Sequence, residues 1–217
     1  MLALFSDGDS SAEEFASQRQ RMVRFQLRGR GIHQAAVMDA FRRVPRHLFV
    51  PPSERSRAYH DHPLPIGCGQ TISQPYVVAY MLQQLAVERP GRVLEIGTGC
   101  GYLTALLAEM VDQVFSIEFF PELAEKAQHT LRDLGYGNIR LRTGDGAQGW
   151  EEEAPFDGII GSAAVEEIPP ALIEQLASDS RLIMPVGADQ QRLVMVRRGP
   201  QGVERRELIA VRFVPMR

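Results

Sequence analysis

Apolar positions recur every three to four residues in some stretches of the chain and crowd into short runs in others. This change of period separates expected helices from expected strands. Ala36, Val37, Ala40, Phe41 and Val44 keep the helical period over 33–44, and Pro45 stops it. Val77, Val78, Met81, Leu82 and Leu85 form one apolar face behind Pro75, a residue suited to a first helical turn. Leu123, Ala127, Leu131 and Leu134 line another helix, opened by Pro121 and ended by Gly135. A helix is also expected from Ala12 to about Arg28, interrupted by Gly29 and Gly31. Its arginines (Arg19, Arg21, Arg24, Arg28, with Arg30 beyond) are most simply a solvated face, with phosphate binding as the rarer use.

Arg92 to Ile96, Gln113 to Ile117 with Glu118 at its end, Ile139 to Arg142, Phe156 to Ile160 and Arg181 to Val186 have the length and content of buried strands. A helix from Tyr102 towards Met110 follows the first of them, and one opened by Pro169 and Pro170 runs to about Leu176 before the last. Strands alternating with helices build a parallel sheet. From Gln191 the pattern alternates instead: Gln191 to Arg198 and Glu204 to Val214 read as antiparallel strands joined at Gly199-Pro200-Gln201-Gly202. The expected architecture is α/β: a doubly wound, mostly parallel sheet with an antiparallel C-terminal edge and an N-terminal helical extension. We expect one domain over 1–217, with a flexible tail at 1–11, the extension at 12–88 and the α/β core at 89–217.

Composition narrows the function classes. The chain has 217 residues, 44% apolar and 24% charged, as an ordinary globular protein does. A net charge of −3 offers no electrostatic reason to expect nucleic acid or an anionic membrane. No apolar run approaches the roughly 18 residues of a membrane span. Met1 to Glu14 lacks the basic start and apolar core of a secretory signal. Two cysteines, Cys68 and Cys100, make no metal-ligand or CxxC pattern, and a cytoplasmic location is the simplest expectation. Oligomeric state is not legible; a monomer is favoured.

The candidate chemistry centres on Glu95-Ile-Gly97-Thr-Gly99-Cys-Gly101, between an expected strand and an expected helix. Strand, glycine-rich turn and helix in that order open a nucleotide-binding βαβ unit. The glycines follow G-x-G-x-G; the dinucleotide fingerprint would need a small residue where Tyr102 stands. Glu95 would bond a cationic or amino-bearing ligand, or simply pin the turn. Glu118 lies about 20 residues beyond the turn, where such folds place a ribose-binding carboxylate. Asp145, in Gly144-Asp145-Gly146 at the end of the third strand, is placed to accept from an adenine amino group. Residues 45–70 are rich in proline, histidine and glycine and form a long irregular segment, often a binding segment. His60, Asp61 and His62 invite a metal, but no further ligand cluster supports one, and no metal is expected; His33, His47 and His129 read as surface or packing residues. Thr71 and Ser73 precede the helix that starts at Pro75, where an anion is favoured; the competing reading makes Ser73 a helix cap.

Several stretches together resemble the protein-L-isoaspartate (D-aspartate) O-methyltransferase family, within the class I S-adenosylmethionine (SAM) methyltransferases. They are Val44-Pro-Arg-His-Leu-Phe-Val50, Ala58-Tyr59 with Asp61 and Pro63-Leu-Pro-Ile-Gly67, Gly69-Gln-Thr-Ile-Ser-Gln-Pro-Tyr76, Val93 to Tyr102, Ser116-Ile-Glu118, Gly144-Asp-Gly146, Pro155-Phe-Asp157, Ile168-Pro-Pro-Ala-Leu172 and Phe213-Val-Pro215. The glycine turn is common to the class, whereas Gln70 to Pro75 is specific to the family. The resemblance implies a Rossmann-like fold, SAM as cofactor and methylation of isoaspartyl residues in damaged proteins and peptides. Glu95, Gly97 and Gly99 would cradle the methionine part, with Thr98 and Gly101 in the same turn. Glu118 would bind the ribose, and Asp145 and Gly146 the adenine. Ser73 would meet the substrate carboxylate, with Thr71, Ile72, Gln74 and Val214 also on the substrate side. The edge near Val211 to Pro215 would hold the peptide by backbone hydrogen bonds. Cys100 stands where the family usually has serine, and Gly161-Ser162 where a bulkier residue and threonine are usual. Rival readings are a methyltransferase acting on a small molecule or RNA, and a catalytically silent SAM-binding protein.

Overall fold

A computed structural model describes residues 7–87 and 91–217. Helix α1 spans Asp7–Arg21 and passes directly into a π-helical stretch, Met22–Leu27, then a 3-10 turn, Arg28–Arg30. Residues 7–11 of the expected tail are therefore helical; residues 1–6 lie outside the described residues. The expected helix also changes form after Arg21. Met22, Val23 and Leu27 are all buried, and the five-residue step from Met22 to Leu27 matches the wider π turn. Gly31, at φ 91°, ends the run. Helix α2 (Ala35–Arg43) buries Val37, Met38, Ala40 and Phe41.

The segment at 45–70 is not irregular throughout. It holds short 3-10 turns at Arg46–Leu48 and Pro52–Arg57, and strand β1 (Leu64–Gly67), paired antiparallel with β2 (Gln70–Ile72). Strands of three or four residues carry too few positions to show a period. Helix α3 (Pro75–Leu85) follows, and the expected boundary at 88/89 lies outside the described residues.

The core continues as β3 (Arg92–Ile96), α4 (Tyr102–Met110), β4 (Gln113–Glu118), α5 (Pro121–Asp133), β5 (Ile139–Thr143), β6 (Phe156–Gly161), α6 (Pro170–Glu174), β7 (Leu176–Val186), β8 (Gln191–Gly199) and β9 (Gly202–Val211). The seven core strands form one sheet in the order β5-β4-β3-β6-β7-β8-β9. Pairing is parallel from β5 to β7 and antiparallel beyond. Alternate residues serve opposite faces: Val93, Val114, Ile160 and Ile183 join one buried cluster, and Leu94, Phe115, Ile159 and Leu182 the other. Both faces are apolar because both are covered. The chain order reverses at β3, whose neighbours are β4 and β6, so its C-terminal end is the topological switch point.

Three boundaries differ from expectation. β7 begins at Leu176, ahead of Arg181; its first half is polar, irregular in register and carries Asp179 at φ 61°. α6 stops at Glu174 for the same reason. β9 ends at Val211, ahead of Val214, because the last residues leave the sheet edge: Ala164 N–H donates to the Val214 carbonyl and Met216 N–H to the Ala164 carbonyl, both at 2.8 Å.

Extension and core share one apolar cluster that runs from Met22 to Leu193. Tyr102, the first residue of α4, sits at its centre, with the ring of Phe41 edge-on at 6.0 Å and that of Phe49 at 5.5 Å. Phe41→Ala is expected to cost about 3–5 kcal/mol and to lower a single melting transition. Calorimetry showing a second, unmoved transition would mean that extension and core unfold as separate domains.

Candidate active site

The turn after β3 folds back over the end of β4. Gly97 and Thr98 N–H donate to the Ile117 carbonyl at 2.8 and 3.3 Å, and Gly101 N–H to that of Thr98 at 2.9 Å. Gly97 and Gly99 take φ of 89° and 55°, a region that side chains disfavour. Glu118 ends β4 beside this turn: one carboxylate oxygen accepts from Gly99 N–H at 2.7 Å, the other from Phe120 N–H at 2.9 Å. Each oxygen keeps a lone pair for a further donor.

A cavity opens over this arrangement. Ile96, Gly97, Gly99, Glu118, Phe119, Phe120, Gly146, Ser162 and Ala163 line it, together with Ile66, Gln70, Thr71 and Val214 to Arg217. Gly146 reaches it through close packing, since a Cβ there would lie 2.4 Å from Ile96 Cγ2. Asp145 does not line it; its exposed carboxylate instead accepts from Ala147 N–H at 2.9 Å.

A second, smaller cavity adjoins the first, lined by Thr71, Ile72, Ser73, Val78, Gly97, Thr98, Gly99, Cys100, Tyr102, Leu103 and Ser162. The two share Thr71, Gly97, Gly99 and Ser162. Ser73 is not the cap of α3: the N-cap is Gln74, whose own side chain makes no capping bond. The Ser73 carbonyl accepts from Arg46 Nη2 at 2.9 Å, which fixes the backbone behind its hydroxyl. Gln74 lines neither cavity. Its amide donates to the Asp61 carbonyl at 3.0 Å and to the Asp61 carboxylate at 2.8 Å. That carboxylate also pairs with Arg30 and accepts from Tyr76 N–H, so Asp61 anchors the start of α3. Among the described residues, no group of three or more His, Cys, Asp or Glu side chains is placed to hold a metal ion.

Beneath the turn lies a fully buried acid. Glu95 Oε2 accepts from Thr104 Oγ1 and Ser116 Oγ, both at 2.6 Å, and Ser116 Oγ lies 2.6 Å from Thr98 Oγ1. Glu95 Oε1 is buried without a partner, and the side chain lines neither cavity. Burial pushes its pKa up to about 8, the Ser116 and Thr104 bonds opposing the rise and the Glu118 charge adding to it. In this geometry Glu95 pins the turn from below. Gly101 likewise lines neither cavity: a Cβ there would lie 3.2 Å from Leu131 Cδ1, so it is a close-packing site against α5. Burial pushes the Cys100 thiol up to about 11, leaving it protonated at neutral pH. His47 stacks on Phe15 at 4.1 Å and lies 2.7 Å from the Tyr59 hydroxyl; burial lowers its pKa to about 4, and it packs as a neutral ring.

Sequence reasoning thus placed Thr71, Ile72, Ser73, Gly97, Thr98, Gly99, Glu118, Gly146 and Val214 on residues that line the two cavities. It passed over Phe119, half-exposed beside Glu118; Ser162, expected near the pocket but given no role, lines both cavities. Position directly after the strand-ending acid was the available signal for Phe119. Ser162 stands at the end of β6, next to β3 in the sheet, which strand order alone reveals.

A parallel sheet with a glycine turn at its switch point, and an acid closing the next strand, defines the Rossmann-like fold of class I SAM-dependent methyltransferases. The sequence profile of the protein-L-isoaspartate(D-aspartate) O-methyltransferase family matches residues 17–217, and the chain belongs to that family. It is 51% identical over 197 residues to the Gloeobacter violaceus protein-L-isoaspartate O-methyltransferase, covering 90% of this chain and 96% of that one. It is likewise 51% identical over 203 residues to protein-L-isoaspartate O-methyltransferase 1 of Syntrophobacter fumaroxidans, covering 93% and 95%. A Plasmodium falciparum structure, described as a protein-L-isoaspartate O-methyltransferase in complex with S-adenosyl-L-homocysteine, superposes with a TM-score of 0.79 at 26% identity, covering 94% of this chain and 98% of that one. Among the described residues no helix is long and apolar enough to cross a membrane.

Between its ordinary value of 4.5 and about 8, Glu95 holds a proton in the folded protein that the unfolded chain releases. Its contribution to stability is full below the lower value and is lost as pH rises through the upper one. Glu95→Gln removes that dependence. Relative to the variant, the wild type is expected to melt lower at pH 8.5 than at pH 5 by at least about 2–4 °C, the shift that 1 kcal/mol produces at this size. Parallel melting curves at the two pH values would place an ionised carboxylate under the turn.

Proposed function

We propose that the protein transfers the methyl group of SAM to the free α-carboxylate of L-isoaspartyl residues in damaged proteins and peptides, with D-aspartyl residues as a second class. The observation that carries this reading is the joining of two cavities through Thr71, Gly97, Gly99 and Ser162. A donor held in the larger one meets an acceptor held beside Ser73 across a shared wall. Family membership over residues 17–217 supports the choice of donor and acceptor.

The residues of the larger cavity suit SAM. The lone pairs left on Glu118 fit ribose hydroxyls, the turn at Gly97 and Gly99 brings bare backbone to the wall, and the half-exposed Phe119 ring offers an apolar face beside Gly146. SAM supplies an already activated sulfonium methyl, passed to a carboxylate oxygen as the carbon–sulfur bond breaks. The protein's part is positioning. An α-carboxyl group has a pKa of about 3.3–3.7 and is ionised at neutral pH, so no general base is required. Alignment of two bound reactants is worth up to about 7–11 kcal/mol. Ser73, free of a capping role, orients the carboxylate from the α3 side; Thr71 and Ser162 stand at the shared wall. Val214 lines the donor cavity next to the sheet edge, where an extended peptide gains backbone hydrogen bonds. The ester carries methoxide, a far better leaving group than the oxide a carboxylate would have to expel. The neighbouring backbone nitrogen displaces methanol to close a succinimide, and hydrolysis of that ring returns part of the damage to normal aspartate. The free thiols Cys68 and Cys100 suit a reducing cytoplasm. A monomer acting on flexible peptide segments, without nucleic acid or membrane, completes the reading.

Labelled SAM is expected to methylate an isoaspartyl peptide and to leave its aspartyl twin unlabelled. Equal labelling of the two would defeat the proposed specificity, and no labelling of either would defeat the activity. Ser73→Ala is expected to lower kcat/KM by at least ~10-fold, or about 1.4 kcal/mol of transition-state stabilisation, with SAM affinity and Tm nearly unchanged. A variant that melts lower yet turns over at the wild-type rate would make Ser73 a structural residue.

A further inference from the structure

Behind the smaller cavity lies a cation whose bonding partners carry no net charge. Arg46 is 0% exposed and among the largest fully buried side chains of the protein. Its Nε donates to the Ala58 carbonyl at 2.8 Å and its Nη2 to the Ser73 carbonyl at 2.9 Å, whereas Nη1 is buried without a partner. The guanidinium carbon lies 4.9 Å from the centre of the Tyr102 ring, whose hydroxyl is also buried and unpartnered. Two carbonyl dipoles and a ring face attract a guanidinium, but none supplies a negative charge. Burial of an ion is costly unless an opposite charge and hydrogen bonds compensate. Arginine stays protonated in proteins and cannot escape this cost by neutralising.

The placement of this charge gives it a use. Ser73, whose carbonyl it holds, and Tyr102, whose ring it covers, both line the cavity read above as the acceptor site. Asp61 acts on this charge from a distance, but no bonded partner neutralises it, and an anion bound in the cavity would add a nearer counter-charge. We propose that Arg46 is a positioning residue for the substrate carboxylate: it fixes the Ser73 backbone, and with it the hydroxyl, and its charge, which no bonded partner neutralises, selects an ionised carboxylate over a neutral group of the same shape. This rests on the smaller cavity being the acceptor site. A purely structural Arg46, tying 58 to 73, would support carboxylate and neutral ligands alike.

The test compares binding of an isoaspartyl peptide with that of the same peptide carrying an α-carboxamide. Calorimetry in the presence of S-adenosyl-L-homocysteine reads both without turnover. Wild-type protein is expected to prefer the carboxylate. Arg46→Met is expected to reduce that preference at least ~10-fold while S-adenosyl-L-homocysteine affinity stays unchanged. Arg46→Gln, which keeps hydrogen-bond donors but not the charge, is expected to lose the preference as Arg46→Met does. Equal weakening of both peptides in Arg46→Met would reduce Arg46 to a structural tie. If Arg46→Met does not fold, Arg46→Gln decides, because a preference that survives loss of the charge would overturn the electrostatic role. Wild-type protein that methylates the isoaspartyl peptide yet binds both peptides equally would overturn the inference and leave the proposed function standing. Absence of methylation and of binding to either peptide would instead remove the acceptor site itself.

Discussion

The structure depends on one backbone reversal. Strand β3 ends at Ile96, and the chain must turn into α4 while leaving bare backbone facing a cavity. Two carboxylates hold that turn from different directions. Glu118 grips Gly99 N–H from the neighbouring strand and stays at the cavity wall. Glu95 sits underneath, fully buried, and gathers Thr104 and Ser116 into a network that reaches Thr98. One acid remains available to a ligand, whereas the other is committed to the fold. Position separates their roles: Glu118 lines the cavity, whereas Glu95 lines none and its complete burial favours the neutral, hydrogen-bonding carboxyl.

The second half of the site comes from the extension and is attached to the first through aromatic and guanidinium contacts. Tyr102 opens α4 directly after the turn and is packed by Phe41, Phe49 and Arg46, all from residues that precede the core. Arg46 in turn holds Ser73. The donor turn and the acceptor segment are therefore set against each other by a buried contact rather than by a flexible hinge. Methyl transfer between two bound groups needs this, because alignment is where most of its rate advantage arises. The chain terminus closes the arrangement. Ala164, just past β6, receives Val214 and Met216 in backbone hydrogen bonds, which brings the last residues to the cavity rim.

The order and type of most elements were legible in the residues. β3, α4 and β4 lie where the apolar runs and the glycines placed them, because a strand buried on both faces and a turn that needs positive φ leave few choices of residue. The antiparallel edge showed itself in alternation, and its turn in Gly199 and Gly202. The π-helical stretch, the hairpin β1–β2 and the early start of β7 were not legible. The first arises from a tertiary demand to bury Met22, Val23 and Leu27 together; the others are too short or too polar to carry a period.

For the site, chain order showed which segments gather at the cavities but not which way their side chains face. Glu95, Gly101, Gln74 and Asp145 stand in the right motifs, yet their side chains or packing surfaces turn to Ser116, Leu131, Asp61 and Ala147. A motif fixes the backbone path; the direction of a side chain depends on what the neighbouring elements offer it. The adjacency of β3 and β6 explains why Ser162 comes to the cavities, and the burial of Arg46 against Tyr102 appears only in the tertiary structure. The sequence alone determined the sheet, the glycine turn and the family, since these rest on local periodicity and on residues with few substitutes. Only the tertiary structure decided which polar groups meet a ligand and which meet each other, because burial and long-range pairing set that choice and neither is encoded by spacing along the chain.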